Sequence, residues 1–422
     1  MLQEETAEEI VDPKLAAEYN TWKRNSPYLY ETLITHDLDH PSLTVDWLPT
    51  KECRNTADYS IQRIVIGTHT LGSEPDQLII ANVKLPLDDT TISNRPRIDN
   101  TREIGGNSLS KVENKVDPLI RINHDGEVNK ARVMPKRDDI IATKSPSGNV
   151  YVYDYTKHPN RSTQGPQLIL KGHQKEGFGL AWNSIQSGLL ASGSDDHLIC
   201  IWDISAGTEG NNTIQPLRTF SSHSEIVADV SWSEFSPNIL GSVSDDKKIM
   251  LWDIRHENPT HIIEGHNREI NAIDFNKFEE NLLATASKDN TVAIWDIRNM
   301  TIKLYALEYH TDEVFNVRWA PFSGTMIGSS GNDRKVCLWD LSKIGDEQTE
   351  EAKREGPPEL VFIHGGHCAN VSDFSWNMND HLMLASVDED SALHIWMMAN
   401  SFMSPLNFKM DTAATAMDLD KA

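Results

Sequence analysis

The strongest constraint on this chain is a histidine and a tryptophan held 29 residues apart, five times over: His173 and Trp202, His223 and Trp252, His266 and Trp295, His310 and Trp339, His367 and Trp396. The tryptophans close similar strings, ICIWD, IMLWD, VAIWD, VCLWD and the variant LHIWM. The same ruler finds a sixth copy, in which His124 precedes Tyr153-Asp154 by 29. Successive histidines are 43 to 57 residues apart. Units constant inside and variable between are structural repeats joined by linkers of free length.

Two further positions fix the unit. A hydroxyl stands 19 residues after each histidine, at Thr143, Ser192, Ser242, Thr285, Ser329 and Ser386. An aspartate stands 23 residues after it in five copies, at Asp196, Asp246, Asp289, Asp333 and Asp390, and Ser147 replaces it in the first. Polar groups placed this regularly among apolar runs predict a buried hydrogen-bond chain, because an unpartnered buried group costs about 1–3 kcal/mol. The first copy, with Tyr153 and Ser147, is expected to be the least tightly pinned.

Between these points the text is β: VADVSW, NILGSVS and KIMLWDI are short Val/Ile/Leu runs divided by turn residues. Four short strands per unit closing on Trp-Asp resemble the WD-repeat β-propeller. The expected fold is all-β, a seven-bladed propeller over residues 39–400. SLTVDWL (42–48), SIQRIVIGTH (60–69) and QLIIANVKL (77–85) supply the seventh blade without the full signature. The polar, Pro/Gly/Asn-studded stretch 86–118 reads as an exposed insertion. Residues 1–11 and 401–422 read as an acidic disordered N-terminus and a flexible C-terminal tail.

Two segments stand outside the repeat. Over 12–38, Asp12-Pro13 signals a helix start, and Leu15, Tyr19 and Trp22 follow at helical spacing. Ser26-Pro27 is expected to restart the helix, with Leu29 and Leu33, and Tyr30 and Ile34, as apolar stripes. Such a helix could simply cover a blade edge, or could offer a second face to a partner helix. The other segment is an acidic insert stiffened by Pro357-Pro358 (343–359), running into Leu360, Val361, Phe362 and Ile363. Alternation buries every second residue of an outer strand, so of the adjacent Phe362 and Ile363 one is a candidate for an apolar contact beside the helix.

A third feature lies inside the repeat. Three residues after each histidine stand Glu127, Glu176, Ile226, Glu269, Glu313 and Asn370. Four acids in six positions is a dense cluster for a chain with 63 acids in 422 residues. In a propeller these positions enter the innermost strands and crowd one mouth of the channel, with Phe178 and Phe315 two residues further on. Carboxylates and aromatic faces suit a lysine- or arginine-rich peptide. The chain as a whole carries a formal charge of −24, which disfavours nucleic acid or an anionic membrane as direct partner. Four scattered cysteines make neither a disulfide framework nor a zinc cluster, and point to a reducing compartment. The opening MLQEETAEEIVD, with five acids and no base, reads as neither secretory signal nor transit peptide.

The strings NSPYLYETLITHDLDHPSLTVDWLP, NHDGEVNKARVMP, KGHQKEGFGLAWN and GPPELVFIHGGH closely resemble the retinoblastoma-binding-protein class of histone-binding WD-repeat proteins. The resemblance covers residues 10 to 400, both additions included. It implies a subunit of type B histone acetyltransferase, chromatin assembly factor 1, or deacetylase and Polycomb-type complexes, working in nucleus and cytoplasm. It implies a groove for the first helix of histone H4, lined by Leu29, Leu33, Phe362 and Ile363, with Glu350, Glu351 and Glu355 meeting histone arginines. Lys353-Arg354 depart from the acidic stretch of the family. It also implies a site for the histone H3 tail at the channel mouth: Asp39, His69, Glu127, Asn129, Glu176, Phe178, Asp245, Asn271, Glu313, Phe315 and Glu389. There Phe178 stands for a tyrosine, Ala228 for a glutamate and Asn370 for a lysine.

Catalysis competes poorly with this reading. Six histidines and five aspartates are already used by the repeat, and no P-loop, GxSxG or HExxH string occurs. The expectation is a non-catalytic subunit without cofactor or metal. A generic scaffold, such as a ubiquitin-ligase substrate receptor, shares the propeller but not the combination of helix, Pro-Pro insert and acidic mouth.

Overall fold

The protein was analysed as a computed structural model that describes residues 13–53, 59–86, 97–98, 104–105, 115–207, 212–399 and 402. Seven antiparallel sheets follow one another around a channel. Blade 1 contains Val45–Cys53, Tyr59–Gly67, Gln77–Pro86 and Val116–Asn123, and blade 2 contains Lys130–Met134, Arg137–Lys144, Val150–Asp154 and Leu168–Leu170. Blades 3 to 6 begin at Leu180, Val227, Ile270 and Val314, respectively. Blade 7 comprises Val371–Trp376, Met383–Asp388 and Ala392–Met398, and takes its outer strand from the other end of the chain, Tyr30–Asp37.

That outer strand corrects the reading of residues 12–38. The helix runs Pro13–Leu29 straight through Pro27, and the next eight residues are extended. Apolar residues at Leu29 and Leu33, and at Tyr30 and Ile34, mimic a helical stripe. Leu29 ends the helix, whereas Tyr30, Leu33 and Ile34 serve a strand buried on both faces, paired from Tyr30↔Met398 to Asp37↔Ala392. The β-branched Thr32, Ile34 and Thr35 favour it, and a propeller whose last unit supplies three strands needs a fourth. Asp12 and residues 1–11 lie outside the described residues, as does the 401–422 tail apart from Phe402. The insertion 86–118 is shorter at both ends than expected: Pro86 closes one strand of blade 1, and Val116–Pro118 open another. Within it a ribbon pairs Arg97–Ile98 with Ile104–Gly105, and the rest lies outside the described residues.

The repeated polar residues form the expected chains. In blade 4, Asp246 accepts from His223 Nδ1 at 2.9 Å, Ser242 Oγ lies 2.7 Å from Nε2, and Trp252 Nε1 donates to the same Oγ at 2.8 Å. With its proton on Nδ1, the neutral ring accepts the serine proton, and every buried polar atom is used. The first copy has no carboxylate on His124, whose Nδ1 meets Gly126 O at 2.7 Å. The last copy corrects Asp390. His367 bonds Asp388 at 2.8 Å, because a carboxylate two positions earlier, where blades 3 to 5 carry Ser194, Ser244 and Ser287, reaches the ring first.

A second tryptophan series stitches neighbouring blades. Nε1 of Trp182, Trp232, Trp319 and Trp376 donates to a carbonyl of the preceding blade, at Arg132, Ala181, Asp274 and Arg318. Inside the channel Asp373 is fully buried among Arg132 at 2.9 Å, Lys130 at 3.2 Å and Arg318 at 3.9 Å.

Candidate functional site

The helix lies along the outer edge of blades 6 and 7. Glu18 pairs with Arg334 of the blade 6 hairpin at 3.5 Å, and Leu29 O accepts from Ala399 N at 2.8 Å. Between these ties Trp22 is buried against His364, His394 and Tyr30, and Tyr19 packs beside it. The Pro-Pro insert joins the third and fourth strands of blade 6, the fourth being Leu360–His364. Gln348 Nε2 bonds Gly356 O at 3.2 Å and closes the insert on itself. Gly356 has φ of +153°, and its backbone passes close to Leu360 and Tyr309, which leaves little room for a side chain.

The helix and the strand that follows the insert, Leu360–His364, meet on one apolar cluster, and the cluster sorts the sequence-based groove residues. Leu33 is 0 % exposed and Phe362 4 %, so neither lines an open groove. Leu33 faces the interior of blade 7, and Phe362 stacks on Trp396 at 5.7 Å and meets Tyr30 edge-on at 5.3 Å. This is a correction: both are the floor under the surface, because a strand in a four-stranded blade buries the face turned toward its neighbour. Ile363 points the other way, half-buried against the cluster between blades 5 and 6. The half-buried rim consists of Leu29, Val361, Met397 and Phe402, of which sequence reasoning found only Leu29 as a lining residue. Glu350, Glu351 and Glu355 are exposed on the insert. Lys353 folds back onto Glu350 at 2.7 Å, which leaves Glu351 and Glu355 without that internal cation.

At the end of the channel where each histidine loop enters its inner strand, the second residue set comes together blade by blade. His69 meets Glu127 at 2.6 Å, Asn129 Nδ2 donates to Glu176 at 3.2 Å, and Asn271 Nδ2 donates to Val314 O at 2.9 Å. Phe178 is 46 % exposed, while Phe315 is half-buried. The acids are partly answered from within: Arg268 reaches Glu313 at 3.3 Å, Lys288 reaches Asp245 at 3.8 Å, and Arg121 reaches Asp39 at 3.0 Å. Glu389 accepts from Asn370 at 3.0 Å. Counting only acids in the repeat missed these cations, although Arg268 sits two residues after His266. Burial and the nearby Glu176 raise the Asp195 carboxyl, and burial raises that of Asp245 despite the neighbouring Lys288.

No constellation among the described residues pairs a nucleophile with an open substrate pocket: the repeated histidine–serine–aspartate sets are buried beneath their own loops. The sites offer surface, not chemistry. Known families agree with this arrangement. The family of the histone-binding protein RBBP4, described also as a component of the CAF1 complex, matches residues 17–87, which span the helix, the closing strand and most of blade 1. The WD domain, G-beta repeat matches residues 164–203 and 358–397, and the EIPR1 beta-propeller matches residues 199–339. By these matches the chain is similar to histone-binding proteins of the RBBP4 type over its N-terminal helix and first blade, and to WD-repeat propellers beyond them.

Proposed function

We propose that this protein is a non-catalytic histone adaptor that holds the first helix of histone H4 between its own helix and the Pro-Pro insert. The observation carrying this reading is that Leu29 of the helix and Val361, Met397 and Phe402 lie half-buried on one apolar cluster, while Glu351 and Glu355 are exposed on the insert that leads into Val361. An amphipathic helix with apolar and arginine-bearing faces matches both, since apolar side chains cover the strip while guanidinium groups reach the carboxylates. The channel mouth is the site proposed for the basic H3 tail, with Phe178 and Phe315 for its cations and Glu127 and Glu176 for its hydrogen bonds. The adaptor then presents histones to an acetyltransferase or assembly machinery, in cytoplasm and nucleus.

The test mixes the full chain with an H3–H4 dimer on gel filtration at moderate salt. Comigration supports the reading, and separate elution overturns it. For the mouth, replacing Glu127, Glu176 and Glu313 together by glutamine is expected to flatten the salt dependence of H3-tail binding, because fewer charge pairs remain to be screened. Fluorescence titration from low to high salt reads the slope. An unchanged slope places the tail elsewhere.

A further inference from the structure

Beneath the middle of the helix three imidazoles pack together away from solvent: His364 at the end of blade 6, His367 in the following loop, and His394 in blade 7. A hydrogen-bond chain runs into them from the helix. Trp22 Nε1 donates to Tyr30 Oη at 2.9 Å, Tyr30 Oη lies 2.7 Å from His364 Nδ1, and His364 Nε2 lies 3.0 Å from His394 Nδ1. Donor chemistry sets its direction. The indole can only donate, so the tyrosine oxygen accepts, and its own proton goes to His364 Nδ1. His364 then carries its proton on Nε2 and donates it to His394 Nδ1. Both rings are neutral in this arrangement.

Three clustered imidazoles suggest a metal site, but their lone pairs do not converge. His367 spends Nδ1 on Asp388 at 2.8 Å and Nε2 on Ser386 at 2.7 Å, and its ring stacks on that of His394 at 4.1 Å. The cluster is a proton-sensitive contact instead.

We infer that docking of the helix is linked to proton release from His364 and His394: the chain Trp22–Tyr30–His364–His394 exists only with both rings neutral, and a proton on either favours the undocked helix. A proton on His364 Nδ1 turns a donor toward the Tyr30 hydroxyl, and one on His394 Nδ1 sets two donors face to face.

Among the described side chains around the two rings, the charged group is Asp388, and its bonds go to other partners. The helix presents Trp22, the closing strand presents Tyr30 and Thr35, and blade 7 presents Trp396, stacked on His364 at 4.5 Å. His36, next along the strand, belongs to the opposite face. The cluster's carboxylate, Asp388, serves His367 and the backbone N–H groups of Asp390 and Ala392. Burial, and then the neighbouring His367, hold His364 well below the usual imidazole range, and burial does the same for His394. Lifting the helix removes Trp22, which lies parallel to His394 and edge-on to His364, each at 5.9 Å, and lets water reach both.

Because the docked pKa values are depressed, docking is fully favoured above the ordinary imidazole pKa of about 6.5 and weakens as pH falls through it. Two linked protons raise the opening constant about 100-fold between roughly pH 7.5 and 5.5, and one raises it about 10-fold. If the helix forms one wall of the histone groove, acid also weakens that groove. This last consequence rests on the proposed function, and the linkage itself does not.

Hydrogen–deuterium exchange of the full chain, corrected for intrinsic rates, measures it without histone. Pro13–Leu29 amides are expected to open about 100-fold more at about pH 5.5 than at 7.5, while Ile270–Phe275 stays protected. His394→Gln, which keeps an acceptor for His364 and removes one titrating ring, is expected to cut the change to about 10-fold. Flat helix exchange in the unmodified chain, or inner strands opening in step with the helix, overturns the inference whether or not the variant folds. An equal response in a folded variant also overturns it. Since no histone is present, failure here leaves the groove reading standing, and failure of histone comigration leaves the linkage standing.

Discussion

Asp373→Ala is expected to destabilise the propeller by about 3–5 kcal/mol, because it leaves the nearly buried Lys130 and Arg132 without their anion. The carboxylate is 0 % exposed and accepts from Arg132, Thr44 Oγ1 and Val45 N, with Lys130 at 3.2 Å. Burial alone would raise this carboxyl, but Arg132, Lys130 and Arg318 outweigh it and hold it well below the usual carboxylate range. Burial lowers Lys130 to about 8, so losing its anion pushes that amine further toward neutrality. Chemical denaturation reads the loss, and replacing Asp373 by asparagine is expected to cost less because it keeps an acceptor. A change under about 1 kcal/mol would mean that channel water, not Asp373, carries the cations.

Leu29→Glu with Val361→Glu is expected to weaken binding of an isolated H4 helix peptide about 100-fold or more, with little change in melting temperature. Both side chains are half-buried on the rim, so a carboxylate there keeps its water in the free protein and loses it only under a docked apolar face. Leu33→Asp differs in kind. At 0 % exposure and opposite Trp396, it sets an unpaired charge inside blade 7, and the expected result is a destabilised protein whatever the peptide does. Calorimetry of binding and of unfolding on the same samples separates rim from floor. Full affinity in the double variant would move the histone helix off this surface.

The propeller was legible because histidine, hydroxyl and tryptophan must meet within one blade, which holds their spacing constant, while the aspartate shifts once, to Asp388. The stitching tryptophans went unread, although Trp182, Trp232, Trp319 and Trp376 each follow their histidine by nine residues, with Phe275 at that place in blade 5. The strand Tyr30–Asp37 was harder, since its identity as a strand comes from blade 7 at the other end of the chain, and no local pattern announces a partner that distant. For the same reason Leu33 and Phe362 were read as lining residues although both are buried beneath the surface. Adjacent residues alternate between cluster and surface, and only the neighbouring blade decides which is which. His394 stands inside the string LHIWM but went unread, because its meaning depends on His364 from another blade.

The pairing of Tyr30–Asp37 with Ala392–Met398 also constrains how the molecule is made. The first strand leaves the ribosome long before its partner exists, carrying Leu33 and Ile34 that the finished protein hides completely. During nearly all of translation that segment is a sticky, unpaired edge, the kind of surface that draws chaperones or other nascent chains. Ring closure consequently has to wait for blade 7, and it joins two segments far apart along the polypeptide.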